Sequence, residues 1–202
     1  KKKKTESWNG GIWTEVAALN TARETAGGGV NNTSVIAFGG NPTTAVTEIW
    51  NGSSWTEVAD LNTARNELAG NGLTTSALAY GGNLPGATAV TESWNGSAWT
   101  ETTDLNTARR TLEGSGTDNT IGIAFGGGTP SNTGKTELWN GSSWTEDGDL
   151  STARNAMASS SGVGSTSALA AGGNTPGSPG ISGTTEEWTG PGAPLTQTID
   201  TD

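Results

Sequence analysis

The chain has 202 residues, enough for one domain with a core, yet only 31% are hydrophobic and nine are Trp. It carries 20 acidic and 10 basic residues, and the net charge of −10 argues against nucleic acid or an anionic membrane as a partner. With no Cys and no His, disulfides, thiolate metal sites, Cys nucleophiles and a Ser-His-Asp triad are excluded.

Lys1–Lys4 opens the chain and reads as a solvated tail. No apolar segment follows it, so a signal peptide is not expected, and runs such as Val35–Phe38 are too short to span a bilayer. From Thr5 to Glu15 the chain reads TESWNGGIWTE, and close copies stand at Thr47–Glu57, Thr91–Glu101 and Thr136–Glu146. The first Trp of each phrase is Trp8, Trp50, Trp94, Trp139 and Trp188, spaced by 42, 44, 45 and 49 residues. The second is Trp13, Trp55, Trp99 and Trp144, and the fifth copy lacks it. Thr-Ala-Arg follows each intact phrase, ending at Arg23, Arg65, Arg109 and Arg154. A Gly-Gly closes each short apolar run, at Gly39-Gly40, Gly81-Gly82, Gly126-Gly127 and Gly172-Gly173.

One unit shows the predicted elements. Asn66–Leu73 is a first strand of small residues, and Thr75–Tyr80 is a second that ends at Gly81-Gly82. After a variable loop, Ala89–Trp94 is a third strand and Ala98–Thr102 a fourth, joined by a tight Asn95-Gly96 turn. No stretch carries helical periodicity. Four short antiparallel strands per 42–49 residues describe a propeller blade, with small residues at the crowded axis and Trp between blades farther out. The chain therefore divides into a Lys-rich tail, 1–4, and a single all-β propeller domain, 5–202, with repeats at about 5–23, 24–65, 66–109, 110–154 and 155–202. The strand tally predicts four blades, with Thr5–Val16 closing the ring against the last repeat. A count of five stays open, in which the first blade lacks its inner half and the tail PLTQTIDTD supplies one missing strand.

The order apolar run, Gly-Gly, variable loop, TESW, Asn-Gly, Trp, Leu, Arg resembles the kelch repeat, from Thr5 to about Trp188. The resemblance implies that Trp8, Trp50, Trp94, Trp139 and Trp188 take the third-strand aromatic place. Trp13, Trp55, Trp99 and Trp144 take the fourth-strand Trp place. The WNGSSWTE…LNTAR wording is also similar to repeats of phage-encoded and bacterial surface proteins. A kelch likeness implies a fold and leaves the role open.

Two readings compete for the repeated residues. The tryptophans could stack on sugar rings, but their regular recurrence favours packing between blades. Glu6, Glu48, Glu92, Glu137 and Glu186 with Arg23, Arg65, Arg109 and Arg154 could line one mouth. Their one-per-repeat count favours one Glu–Arg pair per blade. The Asn-Gly-Ser triplets at Asn51, Asn95 and Asn140, and Asn31-Asn32-Thr33, match the N-glycosylation pattern. The first three are explained by the turn alone. Copper-oxidase chemistry of galactose-oxidase type is excluded by the missing His and Cys and the single Tyr80, which reads as core. The sialidase Asp-box has no counterpart either, because Trp50 stands where its Asp would be. No acid pair stands out from the repeat for glycoside hydrolysis, and Ca²⁺ at Asp60 or Asp104 has no supporting pattern.

Function is expected where the pattern breaks. The loops after Gly-Gly differ in length and wording, which points to Asn41, Thr43, Asn83, Thr129, Asn132, Lys135, Asn174 and Ser178 as ligand-contacting residues. The expectation is a non-catalytic propeller with no cofactor or metal, displayed on a virion, tail fibre or cell surface. It would bind a glycan or a receptor protein. The alternative is an assembly or protein-interaction module contacting other virion or surface subunits, and a homo-oligomer fits either role. A glycoside-processing enzyme is the remote alternative.

Overall fold

The computed structural model describes residues 4–160, 165–176 and 180–190, and every regular element among them is a β-strand. An N-terminal hairpin pairs β1 (Thr5–Trp8) with β2 (Trp13–Val16). Blade 1 is the four-stranded antiparallel sheet β3 (Glu24–Asn31), β4 (Ser34–Asn41), β5 (Thr47–Trp50) and β6 (Trp55–Glu57). Blade 2 repeats it with β7 (Ala69–Leu73), β8 (Ser76–Tyr80), β9 (Thr91–Trp94) and β10 (Trp99–Glu101). Blade 3 has β11 (Glu113–Ser115) and β12 (Gly122–Phe125), then a small hairpin of β13 (Gly128–Thr129) and β14 (Ser131–Asn132). It is completed by β15 (Thr136–Trp139) and β16 (Trp144–Asp147). Blade 4 shows β17 (Ala158–Ser159), β18 (Ala168–Ala171) and β19 (Thr185–Trp188).

The repeated words fold as they do for local reasons. In the outer hairpin of blade 1, the Asn51 Oδ1 accepts the N–H groups of Ser53 and Ser54, each at 3.0 Å, and Gly52 takes φ 95°. That turn sets Trp50 opposite Trp55, and the same register sets Trp94 opposite Trp99 and Trp139 opposite Trp144. The paired rings lie 5.3–5.5 Å apart and tilted. At the axis the first strands nearly touch. A Cβ on Gly28 of blade 1 would stand 2.7 Å from the Gly72 carbonyl of blade 2, so only glycine fits.

Neighbouring blades are joined through the fourth-strand Trp. Trp99 meets Phe38 of blade 1 edge-on at 5.0 Å and donates its indole N–H to Thr47 Oγ1 at 3.0 Å. Trp144 does the same to Tyr80 and Thr91 of blade 2, at 5.0 and 3.1 Å. Trp50, Trp94, Trp139 and Trp188 are buried and point their N–H at a carbonyl in the first turn of their own blade. Burying such a ring contributes roughly 3 kcal/mol, which offsets the high entropic cost of so Gly-rich a chain.

Three expectations need correction. Trp8 and Trp13 are 45% and 65% exposed, because the hairpin packs on blade 1 and no further blade covers its other face among the described residues. The hairpin does not close the ring against blade 4 by pairing with β18; β19 holds the third-strand place there, and among the described residues β1 pairs only with β2. The first strand of blade 2 starts at Ala69 rather than Asn66, since Asn66 bridges to Asn83 and Glu67 then turns at φ 53°. The tail PLTQTIDTD lies outside the described residues.

Candidate binding face

The repeated charges are buried inside the blades. Arg109 and Glu137 meet at 2.8 Å, both without side-chain exposure, and Arg23–Glu48, Arg65–Glu92 and Arg154–Glu186 are their counterparts. Each Arg leaves the linker before its blade and also donates to blade carbonyls, as Arg65 does to Gly81 O at 3.0 Å and Ala79 O at 3.3 Å. Each Glu also accepts backbone N–H groups of that linker: Glu48 from Asn20 and Thr21, Glu137 from Asn106. Burial acts to raise the Glu48 carboxyl, but Arg23 and these N–H donors outweigh it and hold the group below the usual carboxylate range. These pairs tie linker to blade and do not form a ring of charge at a mouth.

The variable loops all join the second strand of a blade to its third, so they share one face with the linkers between blades. Positive φ at both glycines turns the chain out of the second strand, as at Gly81 (64°) and Gly82 (115°). The loop base is then pinned to the residue after the repeat Arg. Asn83 exchanges two backbone hydrogen bonds with Asn66, Gly128 with Arg110, and Asn174 with Asn155. The linkers brace the loops further: Leu61 and Arg65 donate N–H groups to Ala45 O and Thr44 O. The result is a set of loops of different shape on rigid footings.

The residues expected to touch a ligand divide between these two parts. Asn41 and Asn174 stand at loop bases, and Asn83 caps its own loop by accepting the Gly86 N–H at 3.0 Å. Asn132 reaches from the blade 3 loop to Asn174 O of the blade 4 loop at 2.7 Å. Lys135 is engaged with Glu146, just as Lys4 is with Glu15 in the N-terminal hairpin. Thr43 and Thr129 lie toward the loop tips, Thr43 exposed and Thr129 in the β13–β14 hairpin. Ser178 lies outside the described residues. Asp60 and Asp104 accept the N–H groups of Thr47 and Thr91 at 3.1 Å, an internal structural task. Among the described residues no group of three or more potential metal ligands occurs.

Sequence reasoning missed two features of this face. Leu84, at a loop tip, and Ile181, bridged to Asn174 at a loop base, are 40% and 76% exposed. Nearer the axis, Glu67, Thr111 and Ala156 all take φ of 50–53°, and the Thr111 and Ala156 N–H groups bond to Glu67 O and Thr111 O in turn. Arg110 meets Glu67 across the surface there at 3.4 Å. The signal was present: the residues after Thr-Ala-Arg read Glu-Thr, Asn-Glu, Arg-Thr and Asn-Ala, a break in the repeat as clear as that in the loops. Glu113 is a third break. It stands opposite Phe125 in β11, where Ala26, Ala69 and Ala158 occupy the other first strands. Burial raises its carboxyl above the usual range, against the opposing hydrogen bond from Ser159 Oγ at 3.0 Å.

Four blades of antiparallel strands around a glycine-lined axis, with variable loops on one face, make this an all-β four-bladed propeller. Neither a scan of protein-family models nor a search of curated proteins matches the chain.

Proposed function

We propose that the chain is a kelch-like, non-catalytic binding propeller of a virion, tail fibre or cell surface, and that its loops recognise a glycan or a host receptor. One observation carries this reading. The repeated Arg, Glu and Trp residues of the blades are used in internal pairs and blade contacts, while length and wording vary in the loops and linkers of a single face. Variable loops on a rigid frame are the usual seat of binding. The face offers hydroxyls, amides and small apolar tips such as Leu84, a chemistry suited to neutral sugars or a polar protein surface. A glycan array, read alongside binding to host-cell extracts, tests it. Specific binding lost on replacing loops 83–90 and 128–135 with the shorter 41–46 wording is expected, and no binding to any glycan or cell surface removes the reading. Glycoside hydrolysis that disappears in Glu113→Gln would overturn its non-catalytic part. A second reading, an assembly module of a fibre or capsid, is favoured by Trp13, a large aromatic left 65% exposed.

A further inference from the structure

The sequence contains five Asn-Gly steps, and the fold gives them two kinds of surroundings. Asn9, Asn51, Asn95 and Asn140 stand exposed in the outer turns, each followed by a glycine at φ 93–95°. Asn71-Gly72 lies instead in β7 near the axis, and Asn71 is 5% exposed. At an Asn-Gly step the backbone nitrogen of the glycine can approach the preceding side-chain carbonyl, because no Cβ stands in its way. Asn is a chemically labile residue for this reason, and its surroundings decide whether it reacts.

The outer turns favour the reaction. In blade 2 the Asn95 Oδ1 accepts the N–H groups of Ser97 and Ala98 at 3.0 Å and the Ser97 hydroxyl at 2.9 Å. Blade 1 repeats this set at Asn51 and blade 3 at Asn140. Three donors on one carbonyl oxygen draw electron density from Cγ. They also meet the negative charge that builds on Oδ1 when a nucleophile adds. Among the described residues neither the Asn95 Nδ2 nor the Gly96 N–H has a hydrogen-bond partner, and the same holds for Asn51 and Gly52. Asn140 differs: its Nδ2 donates to Ser143 Oγ at 3.3 Å, where blade 2 has Ala98. Asn9 has only the N–H donors of Gly11 and Ile12. The opposite arrangement protects Asn71. Its Nδ2 donates to Asp118 O at 2.8 Å and Ile121 O at 3.4 Å, its buried Oδ1 has no donor, and Gly72 is paired with Ala77 in the β7–β8 ladder.

We propose that Asn51 and Asn95 are sites of self-modification, where the folded turn promotes succinimide formation and, from it, aspartate and isoaspartate. At Asn95 the Gly96 nitrogen gives its proton to water or hydroxide and adds to Cγ, forming a new C–N bond. The bond from Cγ to Nδ2 then breaks, and Nδ2 leaves as ammonia with a proton taken from water. A water molecule adds to either carbonyl of the cyclic imide and opens it, to Asp or to isoAsp. An Asp keeps the oxygen that caps the turn and adds one negative charge. An isoAsp lengthens the main chain by one atom between Trp94 and Trp99, whose facing register places Trp99 against Phe38 of blade 1. The turn is therefore an ageing site, and its isoaspartyl product loosens the clasp between blades 1 and 2. The variable loops take no part in it, so the inference stands whether or not they bind a glycan.

Peptide mapping by mass spectrometry, on the full chain incubated at mildly alkaline pH with and without urea, tests this. In the native chain Asn51 and Asn95 should convert, with isoaspartate among the products, while Asn71 stays intact. In urea Asn71 should react as fast as Asn95, and Asn95 should react more slowly than it does in the native chain. Ser97→Ala removes one donor to Oδ1 and should slow native Asn95 about fivefold, the share of one hydrogen bond, with the melting temperature unchanged. Ala98→Ser should slow Asn95, and Ser143→Ala should quicken Asn140, because each alters the hold on the departing Nδ2. The isoaspartyl fraction should melt below the parent, and the Asn95→Asp variant should not. Native Asn95 as inert as Asn71, a native rate below the rate in urea, or a rate untouched by Ser97→Ala overturns the proposal.

Discussion

At the scale of single residues, the buried Arg–Glu pairs are costly to disturb from one side. Arg65 and Glu92 are both fully buried, and Glu92 also accepts N–H groups from Asn62 and Thr63. Removing the cation alone strands a buried carboxylate. Arg65→Met is expected to destabilise by about 3–5 kcal/mol, and adding Glu92→Gln should restore part of that, by urea denaturation of the singles and the double. Acid has a defined effect through Glu48, whose folded carboxyl lies below its ordinary value of 4.5. Its contribution is present above that value and is lost as pH falls through the lower folded one. Glu113 works in the opposite sense. Its raised folded value makes the native state hold a proton that the unfolded chain releases, so stability falls as pH climbs past 4.5. Glu113→Gln keeps an acceptor for Ser159 and removes the charge. It should melt higher than the parent at pH 7 and no higher at pH 3, by calorimetry.

At the scale of elements, the outer hairpin is one sequence in two settings. Trp99 is 5% exposed and locked between blades, whereas Trp13, at the same repeat position, is 65% exposed. Trp99→Ala should cost about 3–5 kcal/mol and Trp13→Ala less than about 0.5 kcal/mol, compared by thermal unfolding. The turn obeys a different constraint. Gly96 sits at φ 95°, where an L side chain is strained, and a Cβ there would stand 3.3 Å from the Thr75 carbonyl oxygen. Gly96→Ala should cost about 1 kcal/mol or more through backbone conformation and this close contact. Much of this was legible beforehand: Asn-Gly between two Trp words implies a hairpin, and Gly-Gly after an apolar run implies its end. Which copy of the hairpin is covered was not legible, because the words are nearly identical and only the neighbouring blade differs.

At the scale of the whole molecule, stability is passed from blade to blade. Blade 2 is clasped on both faces, by Trp99 against blade 1 and by Trp144 of blade 3 against Tyr80. Blade 4 has three described strands, and Leu150 at its interface with blade 3 is only half-buried where Leu61 and Leu105 are buried. Amide exchange should therefore be slower in Ser76–Tyr80 than in Ala168–Ala171 by an order of magnitude or more, measured by mass spectrometry of the native chain. Equal protection in the two strands would mean that the fourth blade is clasped as firmly as the second.

The sequence by itself determined the all-β class, the blade repeat, the hairpin turns and the packing use of the buried tryptophans. Those properties follow from local periodicity and turn chemistry, and a pattern repeated four times cannot be read many ways. It also pointed to one Glu–Arg pair per repeat, though not to full burial of both partners. Only the tertiary structure decided the rest. It separated loop bases such as Asn83 from tips such as Thr43, because a base is defined by its bridge to a residue in the linker that precedes its blade. It showed Trp13 bare while Trp99 is enclosed. These are properties of which blade stands next to which, and a repeated sequence carries no mark of its neighbours until it is folded.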